Sequence, residues 1–324
     1  MDNSLLIIFC TGFFTNLLLT ILLRNFSLKK NFLLSQGIPV VGGVGMGLVL
    51  LLSCSLPGIS LPASVRGLLI ASSVMLAFGV IDDIRELSII AKFAVQIIAA
   101  IIAISFGVKT EIARFGETLN FLITLVWIIG ITNALNHLDV MDGVAGGVTL
   151  IIASALMVMV IFPGDLPLAV LLMGIIGVVL SFLVFNFSGA LYMGNSGSHF
   201  LGFILAGLAL LIRYAPLERE MALFSPLLIL GFPIFDTVFL VLIRVLKKKV
   251  PFKKSNDHLA LRFLALGFTK RKSLLVMLGI TAVFSFSGVM VSRASNTIAS
   301  LIIMFVVLAA VILAYRMSKV AIDG

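Results

Sequence analysis

The feature that most constrains this chain is a series of apolar runs, each near the ~20 residues that cross a bilayer as a helix. We count eleven, with ten as the lower alternative, at 4–23, 39–56, 66–83, 88–107, 119–136, 143–163, 167–186, 198–213, 221–246, 274–291 and 297–316. With 61% hydrophobic and 11% charged residues, the chain cannot be a soluble globular domain. The sequence predicts an all-α polytopic membrane protein, with residues 1–324 forming one domain.

Basic residues mark the cytoplasmic side of membrane proteins, and most of the 23 Lys and Arg residues fall on alternate connections. This distribution predicts a cell-membrane protein with its N-terminus outside and its C-terminus in the cytoplasm. The longest connection, 247–273, carries Lys247, Lys248 and Lys249, followed by Lys253 and Lys254. Beside a membrane span, such a run indicates orientation and contact with anionic lipid rather than with nucleic acid.

One polar stretch, from Asn133 to Gly147, interrupts the apolar runs in the middle of the chain. Asn133, Asn136, Asp139 and Asp142 follow one another there at a spacing of three residues. If a helix continues through the stretch, these side chains stack on one face as a polar ladder. Polar ladders also join helices inside membranes, but two acids with no basic neighbour in sequence favour a functional site.

Two adjacent carboxylates, Asp82 and Asp83, lie at the C-terminal end of the third apolar run, and Lys92 and Gln96 open the next run. The helix macrodipole disfavours negative charge at a C-terminal end, so a bound cation would stabilise both acids. A pair of solvated loop residues is the alternative interpretation.

The connection 186–199 is rich in Gly, Asn and Ser and contains Tyr192 and Asn195. Its backbone N–H groups are suited to hold an anion at the start of the next helix, although a plain connector is the alternative. Asp236 lies about ten residues inside the ninth run, ~15 Å at helical rise. An acid at that depth is a functional candidate unless it pairs with Arg244 or Lys92 as a structural group.

Three histidines complete the set of candidate residues. His258 and Arg262 are four residues apart on a predicted short amphipathic helix within the basic connection. His137 and His199 are interpreted as ordinary loop residues. The predicted topology brings the acids, the amides and His258 to one face of the membrane. Hard oxygen ligands without cysteine favour Mg²⁺, or Mn²⁺, over zinc.

With Lys92 and Arg262 contacting phosphates, this combination suits phosphoryl transfer between a lipid and a soluble, phosphate-bearing substrate. The polar segments read in order as Gly79-x-x-Asp82-Asp83 with Lys92 and Gln96, Asn133-Ala-x-Asn136-x-x-Asp139-x-x-Asp142-Gly143, Met193-Gly194-x-Ser196-Gly197-Ser198, Pro233-Ile-Phe-Asp236-Thr237, and Asp257-His258 with Arg262 and Gly267. These segments resemble the motifs of the polyprenyl-phosphate N-acetylhexosamine-1-phosphate transferases, glycosyltransferase family 4. The chain looks closer to the WecA/TagO branch than to MraY.

The resemblance implies a Mg²⁺-dependent transfer of N-acetylhexosamine 1-phosphate, GlcNAc 1-phosphate first among them, from a UDP-sugar to polyprenyl phosphate. UMP would be released, and the reaction would be the first membrane step of a cell-envelope glycan pathway. Asp82 or Asp83 would be the base at the lipid phosphate, and Asp139 and Asp142 would order the site and the nucleotide sugar. The implied metal ligands are Asn136 and Asn195, and the implied substrate contacts are Lys92, Asn133, Tyr192, Asp236, His258 and Arg262.

Three positions depart from the family pattern. Asn195 stands where an aspartate is expected, Val140 stands where a glycine is expected, and the usual histidine cluster is reduced to His258 followed by Ala260 and Leu261. A weakened or non-catalytic relative is therefore one alternative, and a secondary transporter is another because of its many spans and intramembrane Asp236. The glycines of the second run predict close packing between helices, with a backbone close to a ligand as the alternative, and this run would also offer a surface for a homodimer.

Overall fold

The computed structural model describes residues 3–54, 60–214, 218–248 and 257–320. The chain forms two compact units, Met1–Ile212 and Arg213–Gly324. The prediction of a single domain stays a prediction. The helices of the first unit are α1 (Asn3–Lys30), α2 (Gly42–Ser53), α3 (Ala63–Ile84), α4 (Ile89–Ser105), α5 (Glu117–Leu138), α6 (Val144–Ile161), α7 (Leu166–Asn186) and α8 (Gly194–Leu211). A two-residue antiparallel pair, β1 (Leu34–Ser35) and β2 (Ile38–Pro39), joins α1 to α2.

The second unit begins with a 3₁₀ helix and continues with α9 and α10. Its elements are the 3₁₀ helix (Glu220–Phe224), α9 (Ser225–Ile229), α10 (Gly231–Leu246), α11 (Leu259–Ala265), α12 (Lys270–Arg293) and α13 (Asn296–Ser318). The predicted short helix is confirmed as α11, but only Arg262 lies within it, because His258 is the extended residue that precedes its first turn. Lys249, Lys253 and Lys254 of the basic connection lie outside the described residues.

Apolar helices dominate both units. Within the described ranges, eight helices are long and apolar enough to cross a membrane, and the bent pair Glu220–Ile229 and Gly231–Leu246 adds a ninth. Helices α2 and α4 are apolar but shorter, with 12 and 17 residues. The prediction of an all-α polytopic membrane protein is confirmed, whereas the number of spans and the sides of the termini stay predictions.

The ninth run, 221–246, does not form one straight helix, because its axis bends by 72° at Leu230, and its crossing of the membrane as one span stays a prediction. Pro233 has no N–H to bond the carbonyl of Ile229, and its ring crowds that carbonyl. The Ser285 hydroxyl of α12 donates to the Ile229 oxygen instead, at 2.9 Å. The break is therefore built into the packing between α9, α10 and α12.

In the first unit, α8 is the central helix, packed against α2, α3 and α5. Glycines allow backbone contact between these helices: a Cβ added at Gly43 would lie 2.0 Å from the Gly197 nitrogen, and one at Gly79 would lie 2.4 Å from the Ser196 Cα. The close packing predicted for the glycine-rich second run is thus observed. It brings the ends of α2, α3 and α8 together.

The polar ladder predicted through residues 133–142 is wrong, because α5 ends at Leu138. Asp139 leaves the helical conformation with φ −80° and ψ 53°. Gly143 then takes a left-handed φ of 82°, which starts α6 in a new direction. Asn133 and Asn136 therefore belong to the last turns of α5, and Asp139 and Asp142 belong to the connection between α5 and α6.

Candidate functional site

Asp82 lies in the last turn of α3 and is almost fully buried, at 3% exposure. One carboxylate oxygen pairs with the Lys92 ammonium at 2.6 Å, and the other accepts a hydrogen bond from the Leu87 N–H at 2.8 Å. The Lys92 side chain keeps 24% of its surface exposed. Lys92 thus compensates the charge of Asp82 at the unfavourable end of α3 while remaining accessible.

Asp83, the next residue, binds the N-terminus of α8. Its two carboxylate oxygens accept hydrogen bonds from the N–H groups of Asn195 at 2.7 Å and Ser196 at 3.0 Å. These N–H groups belong to the first turn of α8, where no intrahelical acceptor exists and the macrodipole attracts an anion. Gly194, with φ 75°, permits this approach, since a Cβ there would lie 2.7 Å from an Asp83 oxygen.

Asn136 joins α5 to the same end of α8. Its side-chain NH₂ donates to Asn195 Oδ1 at 3.1 Å and to Ser198 Oγ at 2.8 Å. His199 Nδ1 lies 3.4 Å from the same nitrogen and 2.9 Å from the carbonyl oxygen of Asn195. The two predicted metal ligands, Asn136 and Asn195, are therefore neighbours.

Asp139 and Asp142 complete an acidic group with Asp83. Removal from water, followed by the charges of Asp83 and Asp142, raises the pKa of Asp139 to about 7, and the backbone of Gly194 partly offsets this rise. Asp142 faces the connection before α8, with Oδ2 3.5 Å from where a Cβ on Gly189 would lie. The structure thus brings together both predicted acid pairs of the first unit.

Asn186, the last residue of α7, fixes the turn that carries Asp142. Its Oδ1 accepts from the Gly143 N–H at 2.7 Å, and its Nδ2 donates to the Leu191 carbonyl at 2.8 Å. Asn186 is 4% exposed. It therefore positions two connections at once, a role that its place at the end of a span did not reveal.

Asn133 and Tyr192 lie at the edges of this arrangement. The side chains of Asn133 and Gln96 exchange two hydrogen bonds, of 2.7 and 3.1 Å, which join α5 to α4. The backbone of Tyr192 bonds Pro39 and Gly42, at 2.9 and 3.1 Å, while its ring is partly buried. The substrate contacts predicted for both residues stay predictions.

The interpretation of His137 and His199 as loop residues is wrong. His137 lies in the last turn of α5, and His199 lies in α8 with 1% exposure. The ring of His199 also meets the ring of Phe78 edge to face, with centroids 5.5 Å apart. The spacing of four residues between Asn195 and His199 was the available signal, but it has meaning only if the helix starts at Gly194.

In the second unit, Asp236 and the His258 turn, residues 257–259, form a separate group. Asp236 is 1% exposed, and its Oδ1 accepts from the Leu259 N–H at 3.3 Å. Its Oδ2 lies 3.7 Å from His258 Nδ1. Asp257 pairs with Lys247 at 2.6 Å and with Arg262 at 3.3 Å. Asp236 and Arg262 thus both contact the turn that carries His258.

The first-unit residues offer hard oxygen donors, which is the ligand type that Mg²⁺ prefers. The charges of Asp83 and Asp142 repel the charge of Asp139, and a cation would relieve this repulsion. Within the described ranges, however, no three His, Cys, Asp or Glu side chains are arranged to hold a metal. The types of donor suit Mg²⁺, but these residues do not form a ready-made metal site, so Mg²⁺ and the ligand roles of Asn136 and Asn195 stay predictions.

The fold and the site define the class of protein. It is a polytopic helical membrane protein in which acids, amides and one partly exposed lysine, Lys92, lie together at helix ends. The model of the family described as glycosyl transferase family 4 matches residues 65–213. The chain belongs to this family, so the resemblance inferred from the motifs is confirmed.

Three relatives give the comparison over most of the chain. The probable undecaprenyl-phosphate N-acetylglucosaminyl 1-phosphate transferase of Bacillus subtilis is 32% identical over 283 residues, which cover 83% of this chain and 77% of the relative. The decaprenyl-phosphate N-acetylglucosaminephosphotransferase of Mycobacterium leprae is 29% identical, covering 80% and 73%. The undecaprenyl-phosphate alpha-N-acetylglucosaminyl 1-phosphate transferase of Thermotoga maritima is 29% identical, covering 83% and 85%.

Proposed function

We propose that this protein transfers N-acetylglucosamine 1-phosphate from its UDP-sugar to a polyprenyl phosphate and releases UMP. The observation that carries the proposal is the contact of Asp83 with the first turn of α8, which unites the acid pair of α3 with Asn136 and Asn195. The names of the relatives supply the reaction class. The first membrane step of a cell-envelope glycan pathway, on the cytoplasmic face, is part of the same proposal.

The residues divide the chemistry among them. Lys92, held by Asp82 yet partly exposed, contacts a substrate phosphate, and Asp82 or Asp83 accepts the proton at the lipid phosphate. Asp139 and Asp142 order the nucleotide sugar beside the ring of Tyr192. Asn136 and Asn195 would hold Mg²⁺, which when bound would neutralise charge on the diphosphate. Asn133, Asp236 and His258 complete the proposed contacts.

The test measures UMP release by the purified protein in detergent with undecaprenyl phosphate, UDP-GlcNAc and Mg²⁺. We expect turnover that falls at least ~100-fold in Asp83→Asn, because an amide has one acceptor oxygen for two N–H groups. Asp165→Asn is the matched control, since Asp165 only accepts from Leu168 at the start of α7. No release with any UDP-N-acetylhexosamine would refute the proposal.

A non-catalytic or weakened relative is the second candidate, favoured by the hydrogen bond between the amides of Asn136 and Asn195. In this case the amide pair would join α5 to α8 without a metal. A measurement of UDP-GlcNAc binding beside the same assay separates the two candidates, because binding without UMP release in the wild type and in Asn195→Asp supports a binding protein.

A further inference from the structure

Arg262 is the largest fully buried side chain in the part of the chain that the structure describes, at 1% exposure. Its guanidinium makes four hydrogen bonds. Nε donates to the Asp257 carbonyl at 3.2 Å and Nη2 to Asp257 Oδ1 at 3.3 Å, while Nη1 donates to the carbonyls of Met317 at 2.7 Å and Val320 at 2.8 Å. The guanidinium also lies over the Phe239 ring, 5.2 Å from its centroid.

These hydrogen bonds leave few N–H donors of Arg262 available to a ligand. A guanidinium has five N–H donors, and two adjacent ones are needed to grip a phosphate in the bidentate geometry that distinguishes arginine. Four donors of Arg262 are engaged, so a bidentate phosphate contact would require breaking bonds inside the protein. The burial of the side chain adds a second obstacle.

The acceptors of Arg262 identify what it does. Met317 lies in the last turn of α13 and Val320 lies just beyond it, where carbonyl groups lack intrahelical donors and the macrodipole attracts a cation. Asp257 is the residue before His258. Arg262 therefore joins the C-terminal end of α13 to the start of the His258 turn.

The other side of the turn is fixed as well. Asp236 of α10 accepts from the Leu259 N–H and faces the His258 ring, and Lys247 at the end of α10 pairs with Asp257. Both ends of the turn are thus attached to α10 and α13. The hydrogen bonds of Arg262 depend on the planar guanidinium group, and a lysine side chain cannot reproduce this geometry.

We propose that Arg262 is a positioning residue that latches the His258 turn to the C-terminal end of α13, and that it contacts no substrate phosphate. The inference rests on the proposed function only where it makes His258 a substrate contact. The inference also means that residues 317–320, at the end of α13, help to orient the His258 turn.

The first experiment needs no activity: hydrogen exchange of the peptide 257–267 in the purified protein. We expect exchange at least ~10-fold faster in Arg262→Gln, in Arg262→Lys and after deletion of 316–324. Deletion of 321–324, which keeps both acceptor carbonyls, and Arg271→Gln, an exposed basic residue of α12, should leave it unchanged. Unchanged exchange of α7 and α8 peptides in every variant confirms that the protein remains folded.

The second experiment measures UMP release and compares Arg262→Gln alone with the same change in a His258→Ala background. A latch predicts a fall in kcat/KM of about 10-fold in each single variant and no further fall in the double variant. Three results together would overturn the latch and make Arg262 a phosphate ligand. The losses in kcat/KM would be additive, Arg262→Lys would recover the KM for UDP-GlcNAc, and the exchange of 257–267 would be unchanged. If the wild type releases no UMP, the proposed function fails while the exchange experiment still decides the latch.

Discussion

The two units hold their buried polar groups in different ways. In the first unit, Asp83, Asn136 and Asn195 come from three helices, and they meet because glycines allow backbones to touch. In the second unit, the His258 turn is attached to neighbours on both sides, and Arg262 is buried with its donors engaged. A basic residue in a family motif is therefore not a phosphate ligand by its charge alone. Accessibility separates Lys92, at 24% side-chain exposure, from Arg262, at 1%.

Gly43→Ala should separate Asp83, Asn136 and Asn195 in the first unit and leave the His258 turn of the second unit unchanged. The added Cβ would lie 2.0 Å from the backbone nitrogen of Gly197, so α2 and α8 would have to separate. We expect a loss of about 3 kcal/mol or more in unfolding free energy and no detectable UMP release. Thermal unfolding in detergent measures the first quantity.

Gly130→Ala is the matched control for that change, because nothing lies within 4 Å of a Cβ at this helical glycine of α5. Hydrogen exchange of 257–267 should remain at the wild-type rate in both variants. A folded, active Gly43→Ala protein would show that backbone contact between α2 and α8 is not what assembles the acids.

Lys92→Met tests whether Asp82 needs its cation. The carboxylate would remain buried with only the Leu87 N–H as a partner, so we expect a loss of about 2 kcal/mol, less than for a fully buried pair because Lys92 is partly exposed. Lys109→Met, which removes an exposed pair with Glu111 at 3.8 Å, should change the melting temperature little. Equal shifts in the two variants would contradict the view that Lys92 is structurally coupled to α3.

The sequence was sufficient to predict the helical membrane fold, the glycine contacts and the motifs that meet in the first unit, because hydropathy and residue type report these directly. The sequence did not predict where helices end or bend. The conformations of Asp139 and Gly143 broke the expected ladder, and Pro233 with Ser285 bent the ninth span. Sequence spacing also could not tell that Arg262 contacts the end of α13, since those partners are backbone carbonyls more than 50 residues away.

Asn195→Asp should strengthen Mg²⁺ binding in the first unit, because it restores a negative charge beside Asn136. A carboxylate binds a hard cation more strongly than an amide, so the Mg²⁺ concentration for half-maximal turnover should fall about tenfold. The stabilisation of the protein by Mg²⁺ in thermal unfolding should increase in parallel. Asn31→Asp, at an exposed position, controls for added charge. Unchanged values in both measurements would mean that the metal is held by other residues.

Val140→Gly should have the smallest effect, although the family pattern has glycine at this position. Among the described residues, the non-glycine positions with positive φ are Asn31, Leu33, Gln36 and Lys248, so Val140 has no conformation that demands glycine. We expect unchanged turnover and a loss of at most about 1 kcal/mol from the greater freedom of the unfolded chain. Gly143→Ala, at φ 82°, should cost more and slow turnover, because Gly143 sets the turn that carries Asp142. A gain in turnover with Val140→Gly would show that the glycine of the family pattern serves turnover at this position.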